Sequence, residues 1–417
     1  MSRAARAVRA AGGTALVTLL ALLTVPGAAP PASAAGRGPR VERVSVSAHG
    51  AQGDGDSLAP SISADGRYVA FESDATDLVP GDADGQRDVF VKDVRTGRLV
   101  RVTAQGAGAP AGAEAYQPSL SADGRYVAFT SEWTYPVPMG PPGRQSDVYV
   151  RDLRTGSTTK VDRGLDEGYG VVSRDPSISA DGRYVAFVAG AAPWYPLGLH
   201  GEVRVYVRDL WTGATRRVSA APGPQGDREA KAPHITPDGG AVAYSTDQPH
   251  VSGPPVGYLY AWRRATGRAE RVDVTYDGSD TTPKPSRFTG ISADGRYVLF
   301  DSESDKMVPG ARHTGGCLRD LVTHRTRTVD APGDPAAYTS AGPFLGASHD
   351  YVVSVDGHEY VRDVRTAHAR SLLHDDTAMD ALVYDADTRV AAFQSWKKDW
   401  VPGDTNVLGD VFLVRLR

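Results

Sequence analysis

One decapeptide recurs along this chain and restricts what it can become. Residues 62–71 read ISADGRYVAF, with close copies at 120–129 (LSADGRYVAF), 178–187 (ISADGRYVAF) and 291–300 (ISADGRYVLF). The closing aromatics Phe71, Phe129, Phe187, Tyr244 and Phe300 are spaced by 58, 58, 57 and 56 residues. A fixed period of this length marks an array of like supersecondary units, each burying an apolar face against the next.

Each copy is followed by a variable segment and then an alternating stretch ending in Asp: DVFVKD at 88–93, DVYVRD at 147–152 and VRVYVRD at 203–209. A Thr-Gly turn comes next (RTG at 95–97 and 154–156, WTG at 211–213, ATG at 265–267), leading into a last stretch such as RLVRVT at 98–103. Short alternating runs bounded by Asp-Gly and Thr-Gly predict antiparallel strands joined by hairpins. One unit then has four strands, and four-stranded antiparallel units set around an axis make a β-propeller. Weaker copies at 344–366 and 383–417 bring the count to seven, or six if the weakest is set aside. The last copy stops after its third strand, whereas Arg40 to Ser47 (RVERVSVS) matches the fourth-strand pattern. The expected fold is therefore all-β, a seven-bladed β-propeller over 35–417, its ring closed by the N-terminal strand joining the last blade and covering an open edge.

Residues 1–34 read as a secretory leader. Arg3, Arg6 and Arg9 precede an apolar run from Ala15 to Val25, and Ala32-Ser33-Ala34 offers a cleavage site. The run is too short for a lasting membrane span. Losing three arginines takes the formal net charge from -4 to -7, a mildly acidic balance that gives no field for nucleic acid. A secreted monomer that binds neither nucleic acid nor membrane is expected. Cys317 is alone, which excludes an intramolecular disulfide, and register places it where Phe90 sits in the first copy.

Repeats of the form ISADGRYVAFxS followed by DVFVxD and RTG resemble the WD40-like (PD40) repeats of the TolB β-propeller family, over roughly residues 40–417. That resemblance implies a periplasmic or extracellular module acting by protein contact. TolB itself carries a separate N-terminal α/β domain and six blades, from which this chain departs. Propellers host many unrelated activities, so the resemblance speaks to fold more than to function.

In a four-stranded blade the first-to-second and third-to-fourth turns share one face. Here those turns are short and repetitive, while the opposite face carries every long, dissimilar segment: 73–87, 131–146, 189–202, 246–256, 302–315 and 395–409. Binding sites are usually built on such loops. Two of them follow Val-Pro-Gly with oxygen side chains at the first, third and seventh positions: Asp82, Asp84 and Asp88, then Asp404, Asn406 and Asp410. That spacing suits Ca²⁺, although it lacks the bidentate Glu of an EF-hand, and Asp and Asn also serve as ordinary loop caps. Trp133, Tyr135, Trp194 and Tyr195, flanked by prolines, are candidates for stacking on sugar or anchoring a protein partner. Trp396 and Trp400 either extend that patch or plug the ring.

Enzyme signatures fail on context. Gly55-Asp56-Ser57-Leu58 spells an esterase motif, but that chemistry needs Ser on a strand-to-helix turn. Ser348-His349-Asp350 are consecutive and cannot converge as a triad. Ser61, Ser119, Ser177 and His234, with Gly290 and Gly346, are expected along the central channel. Two readings follow. One is a non-catalytic binding propeller for a protein or cell-wall glycan, using the long-loop face. The other is a polysaccharide hydrolase or lyase with Asp247, His250 and His313 at the channel mouth.

Overall fold

Wherever Asp-Gly or Thr-Gly was read as a turn, the glycine takes the left-handed conformation such a turn requires, as at Gly66 (φ 67°) and Gly97 (φ 76°). The computed structural model describes residues 40–82, 84–103, 113–135, 143–165, 171–191, 203–219, 229–248, 256–278, 286–310, 315–329, 339–344, 350–355, 358–366, 368–373, 379–387 and 389–416. Residues 1–34, read above as a leader, lie outside them.

Strand β1 (Arg40–Arg43) precedes a meander of β2 (Ser57–Ile62), β3 (Tyr68–Ser73), β4 (Asp88–Asp93) and β5 (Leu99–Arg101). The second unit is β6 (Glu114–Leu120), β7 (Tyr126–Tyr135), β8 (Gly143–Asp152) and β9 (Thr158–Lys160); the third is β10 (Val171–Ile178), β11 (Tyr184–Ala191), β12 (Arg204–Asp209) and β13 (Thr215–Arg217). Next come β14 (Glu229–Ile235), β15 (Ala241–Gln248), β16 (Val256–Arg263) and β17 (Arg268–Arg271), followed by β18 (Ser286–Ile291), β19 (Tyr297–Ser302), β20 (Gly315–Asp320) and β21 (Arg325–Thr328). The last strands are β22 (Thr339–Phe344), β23 (Asp350–Val355), β24 (His358–Asp363), β25 (Ala369–Leu373), β26 (Asp380–Tyr384), β27 (Val390–Ser395) and β28 (Asp410–Arg415).

The expected count of seven or six blades needs correction. Among the described residues only four sheets are discrete blades of four consecutive strands: β2–β5, β14–β17, β18–β21 and β22–β25. The second and third units merge into one eight-stranded sheet, because β8 and β10 run long enough for Ser146 and Val172 to pair in parallel. Strand β1 does pair with β28, Arg40 opposite Arg415, but this completes one sheet and does not close a ring by hydrogen bonds. Backbone bonds between neighbouring turns run from Ala386 to Ala64, Ala122, Ala180 and Pro237, each N–H donating to the next carbonyl at 2.9–3.0 Å. The series stops at Pro237, which has no N–H to donate. The circuit is made by side chains instead. Phe71 and Phe90 of the first sheet share a cluster with Ala392, Val411 and Leu413 of the last, and similar apolar clusters join the sheets between.

Each residue of the repeated turn has a contact that explains it. The Ser63 hydroxyl donates to Asp65 at 2.7 Å and accepts from the Tyr68 N–H at 2.9 Å. The guanidinium of Arg67 donates through Nε and Nη2 to Asp93 at 3.1 and 2.7 Å, tying the ADGR turn to the RTG turn. Arg125 with Asp152, Arg183 with Asp209 and Arg296 with Asp320 repeat this as two-pronged pairs. Arg67 also lies over the ring of Tyr68, 4.8 Å from its centroid. That ring lies against the next sheet so closely that a Cβ on Gly124 would come within 2.3 Å of it. Gly182 meets Tyr126 in the same way. Glycine is thus required there twice, for its positive φ and for the approach of the neighbouring tyrosine.

The Arg67 hydrogen bonds hold the Asp93 carboxyl down at about 2 from its ordinary 3.8. A depressed carboxyl adds stability above its unfolded value, and this is lost as pH falls through the folded one. Replacing Arg67 with Met is expected to lower stability modestly at neutral pH. The deficit relative to wild type should shrink between pH 3.8 and about 2. Urea denaturation across that range checks it, and a pH-independent deficit would count against the pair.

Candidate functional site

The long-loop face is best described where the first and last sheets meet. The β3–β4 connection brings Asp82, Asp84 and Asp88 together, with carboxylate oxygens within 4.8 Å of one another. Among them lies the guanidinium of Arg101, from β5. It reaches Asp82 at 3.1 Å, Asp84 at 2.9 Å and Asp88 at 2.6 Å. The Thr103 hydroxyl donates to Asp88 from two residues further on. Burial, reinforced by the neighbouring Asp88, pushes Asp82 up to about 6, with Arg101 opposing.

The last sheet repeats the plan. Arg43 of β1 reaches Asp404 at 3.0 Å and Asp410 at 3.2 Å, and the Ser45 hydroxyl donates to Asp410 at 2.6 Å. The side-chain amide of Gln52, on the link between β1 and β2, adds bonds to Asp404, Asn406 and Asp410 at 3.0, 2.8 and 3.2 Å. All six predicted metal-ligand residues therefore converge as two groups of three. Each group surrounds a cation supplied by the chain itself, so a Ca²⁺ ion would compete with a guanidinium. The residues missed were Arg101 and Arg43. The signal for them was the shared Arg-Val-Thr/Ser pattern at 101–103 and 43–45.

The aromatic candidates divide. Trp133 is half-buried within β7, opposite Gln145 of β8, so the segment expected to be a loop from 131 extends the hairpin. Trp133, Thr134 and Tyr135 are β-forming residue types, and their backbone lengthens the ladder. Of Tyr135 only the backbone, at the end of β7, is described; Trp194 and Tyr195 lie outside the described residues. Trp400 packs onto its own sheet, edge-on against Phe393 at 5.0 Å, and its indole N–H donates to Ser395. Trp396, at 47% exposed, and Val407, at 70%, stand out from the same loop.

Along the inner strands each meander carries a bulge, where Ala59, Gln117, Asp175 and Ala232 take positive φ. Their N–H groups donate to neighbouring side chains: Ala59 to Gln394 at 2.8 Å, Gln117 to Glu72 at 2.7 Å and Asp175 to Gln117 at 3.1 Å. The hydroxyls of Ser61, Ser119 and Ser177 each accept an N–H from the next inner strand. The ring of His234 leans on Phe288, with centroids 4.9 Å apart. These groups join neighbouring inner strands. Ser57 lies inside β2, buried and bonded to Ser73 at 2.9 Å, while burial pushes the Cys317 thiol up to about 12. Of the residues expected at a hydrolytic channel mouth, His250 and His313 fall outside the described residues, as do Ser348, His349 and Gly346. Asp247 is described only as backbone in β15.

No protein-family model matches the chain, and no curated protein does. Among solved structures it is similar to the β-propeller domain of the Trilobed protease from Pyrococcus furiosus, described as having an open velcro topology. The two are 13% identical over 86% of this chain and 95% of that one, with a TM-score of 0.51. It is also similar to a prolyl endopeptidase at 12% identity, covering 86% of this chain and 50% of that one, TM-score 0.53. TolB from Acinetobacter baumannii matches at 16% identity over 65% of this chain and 53% of that one, TM-score 0.36. The chain spans about half the length of the endopeptidase. The first two likenesses establish a β-propeller fold.

Removing Arg101 would leave three carboxylates facing one another. Arg101→Ala is expected to destabilise the protein by roughly 3–5 kcal/mol, and added Ca²⁺ to restore part of that loss in the variant. Thermal melts with Ca²⁺ and with chelator test this; a variant as stable as wild type would show that the cluster does not need its cation.

Proposed function

We propose that this chain is an exported, non-catalytic β-propeller scaffold that binds a cell-envelope glycan or protein through its long-loop face. The observation that carries the reading is the pairing of two features at the junction of the first and last sheets. Buried charge there is matched internally, Arg101 against Asp82 and Asp88, with the exposed Asp84 beside them, and Arg43 against Asp404 and Asp410. Beside it, Trp396 and Val407 are held exposed on the same loop. A rigid platform with an outward indole suits stacking on a sugar face or seating in a partner's pocket. Its acids are committed to neutralising arginines, which leaves them poorly placed for acid–base chemistry. The leader-like segment at 1–34 supports export.

Co-sedimentation with purified cell-wall glycan is the direct test. Trp396→Ala is expected to reduce retention roughly tenfold, the scale of one stacking aromatic at a binding surface, and wild type should release no new sugar ends. Equal retention by the variant, or glycan cleavage by wild type, would overturn the reading.

A further inference from the structure

The merged sheet contains a second cluster of oxygens, buried and short of donors. Asp147 at the third-strand start of the second unit, Asp162 just after β9, Ser131 of β7 and Ser173 of β10 are each no more than 1% exposed. Ser131 stands opposite Asp147 across the β7–β8 ladder. The parallel pairing of Ser146 with Val172 brings Ser173 alongside Asp147. Asp147 Oδ2 is satisfied, by Lys160 at 2.6 Å and by the Tyr149 hydroxyl at 3.2 Å. Asp147 Oδ1 and the Ser131 hydroxyl are left without a hydrogen-bond partner, and the buried Asp162 carboxylate has the Ser173 hydroxyl beside it while facing the like charge of Asp147.

The neighbouring repeat shows why this place differs. In the first unit the position of Asp162 is held by Thr103, which donates to Asp88. There Ser73, the counterpart of Ser131, is bonded to Ser57. In the second unit Ala115 takes the place of Ser57 opposite Ser131, so the hydroxyl loses its partner. In the third unit Ser173 takes the place that Ala115 holds in the second, adding an oxygen where an apolar group stood. One change exchanges a donor for a carboxylate, one removes the partner of Ser131 and one adds a hydroxyl, all around Asp147. Two buried carboxylates are left facing one ammonium, Lys160. An uncompensated buried charge is costly, and full burial of unpartnered oxygens multiplies that cost.

We propose that Asp147, Asp162, Ser131 and Ser173 form a buried binding site for a hard, oxygen-preferring metal cation at the seam between the second and third units. Five oxygens on three strands and a post-strand turn approach the coordination number such cations take, and carboxylate with hydroxyl is their usual ligand chemistry. With both carboxylates ionised, the pair carries one negative charge more than Lys160, which supplies the attraction. By joining β7, β8 and β10 to the residue after β9, the ion would fasten the seam where the two sheets have become one. This site is separate from the Arg-filled loop clusters and does not rest on the binding function proposed above.

The test is thermal unfolding of the purified protein, stripped with chelator and exchanged into choline chloride, with Na⁺, K⁺, Mg²⁺ and Ca²⁺ added at constant ionic strength. One of these cations should raise Tm saturably. Asp162→Ser, which restores the hydroxyl found as Thr103 and Ser219 in neighbouring repeats, should fold and lose the response. Ser173→Ala should weaken the apparent affinity about tenfold or more. A Tm indifferent to every cation overturns the proposal. So does a response that persists in Asp162→Ser, or one abolished by Asp84→Asn while Asp162→Ser retains it, since the ion would then belong to the first-sheet loop.

Discussion

A guanidinium shared between two turns is the contact on which the rest of this protein depends. Arg67, Arg125, Arg183 and Arg296 each reach from the first hairpin of a sheet to the aspartate that ends its third strand. That single link explains two distant motifs, the ADGR turn and the closing Asp of DVFVKD. The arginine also lies over its own tyrosine, and the tyrosine fills the space above the next glycine turn. Order within one sheet therefore sets the spacing to the next. The fourth unit tests this logic naturally. It reads TPDGGAVAY, with Gly240 and Ala241 in place of Arg and Tyr. There Arg264 comes in from the third-to-fourth turn to lie over Tyr184, 4.4 Å from its centroid, so a cation returns from a different direction.

On the opposite face the same economy of charge is met by a different device. The aspartate that opens the third strand is buried, and the outer strand supplies the cation: Arg101 for Asp88, Arg43 for Asp410, Lys160 for Asp147. Two residues beyond that cation stands a hydroxyl or a carboxylate. When it is a hydroxyl, as at Thr103 and Ser45, the aspartate gains a donor. When it is Asp162, the aspartate gains a rival. A one-residue difference thus separates a self-contained ion pair from a site with unmet charge.

Much of the fold was legible because its cause is local and repeated. Turn glycines, strand alternation and the period of the closing aromatics each act over a few residues, and each recurs. Cys317 opposite Phe300, matching Phe90 opposite Phe71, follows from register alone. The count of blades was not legible in the same way. Repeats number the units of sequence, whereas sheets are divided by where hydrogen bonds stop, and the meeting of Ser146 with Val172 is decided by how far two strands extend beyond their hairpins. The site was legible in part. The oxygen-rich spacing after Val-Pro-Gly identified residues that do converge, but the cation among them comes from another strand.

By itself the sequence determined the unit: four short strands, tight turns on one face, dissimilar segments on the other. These follow from backbone preferences and side-chain alternation, which need no knowledge of distant residues. The tertiary structure alone decided how charges are matched and how the circuit of sheets is made. Those depend on which side chains meet across tens or hundreds of positions, as Arg43 meets Asp410. They also depend on a proline ending a hydrogen-bond series that every other described turn in it continues. Coulombic and packing terms are fixed by distance in space, and period in a sequence carries no measure of that distance.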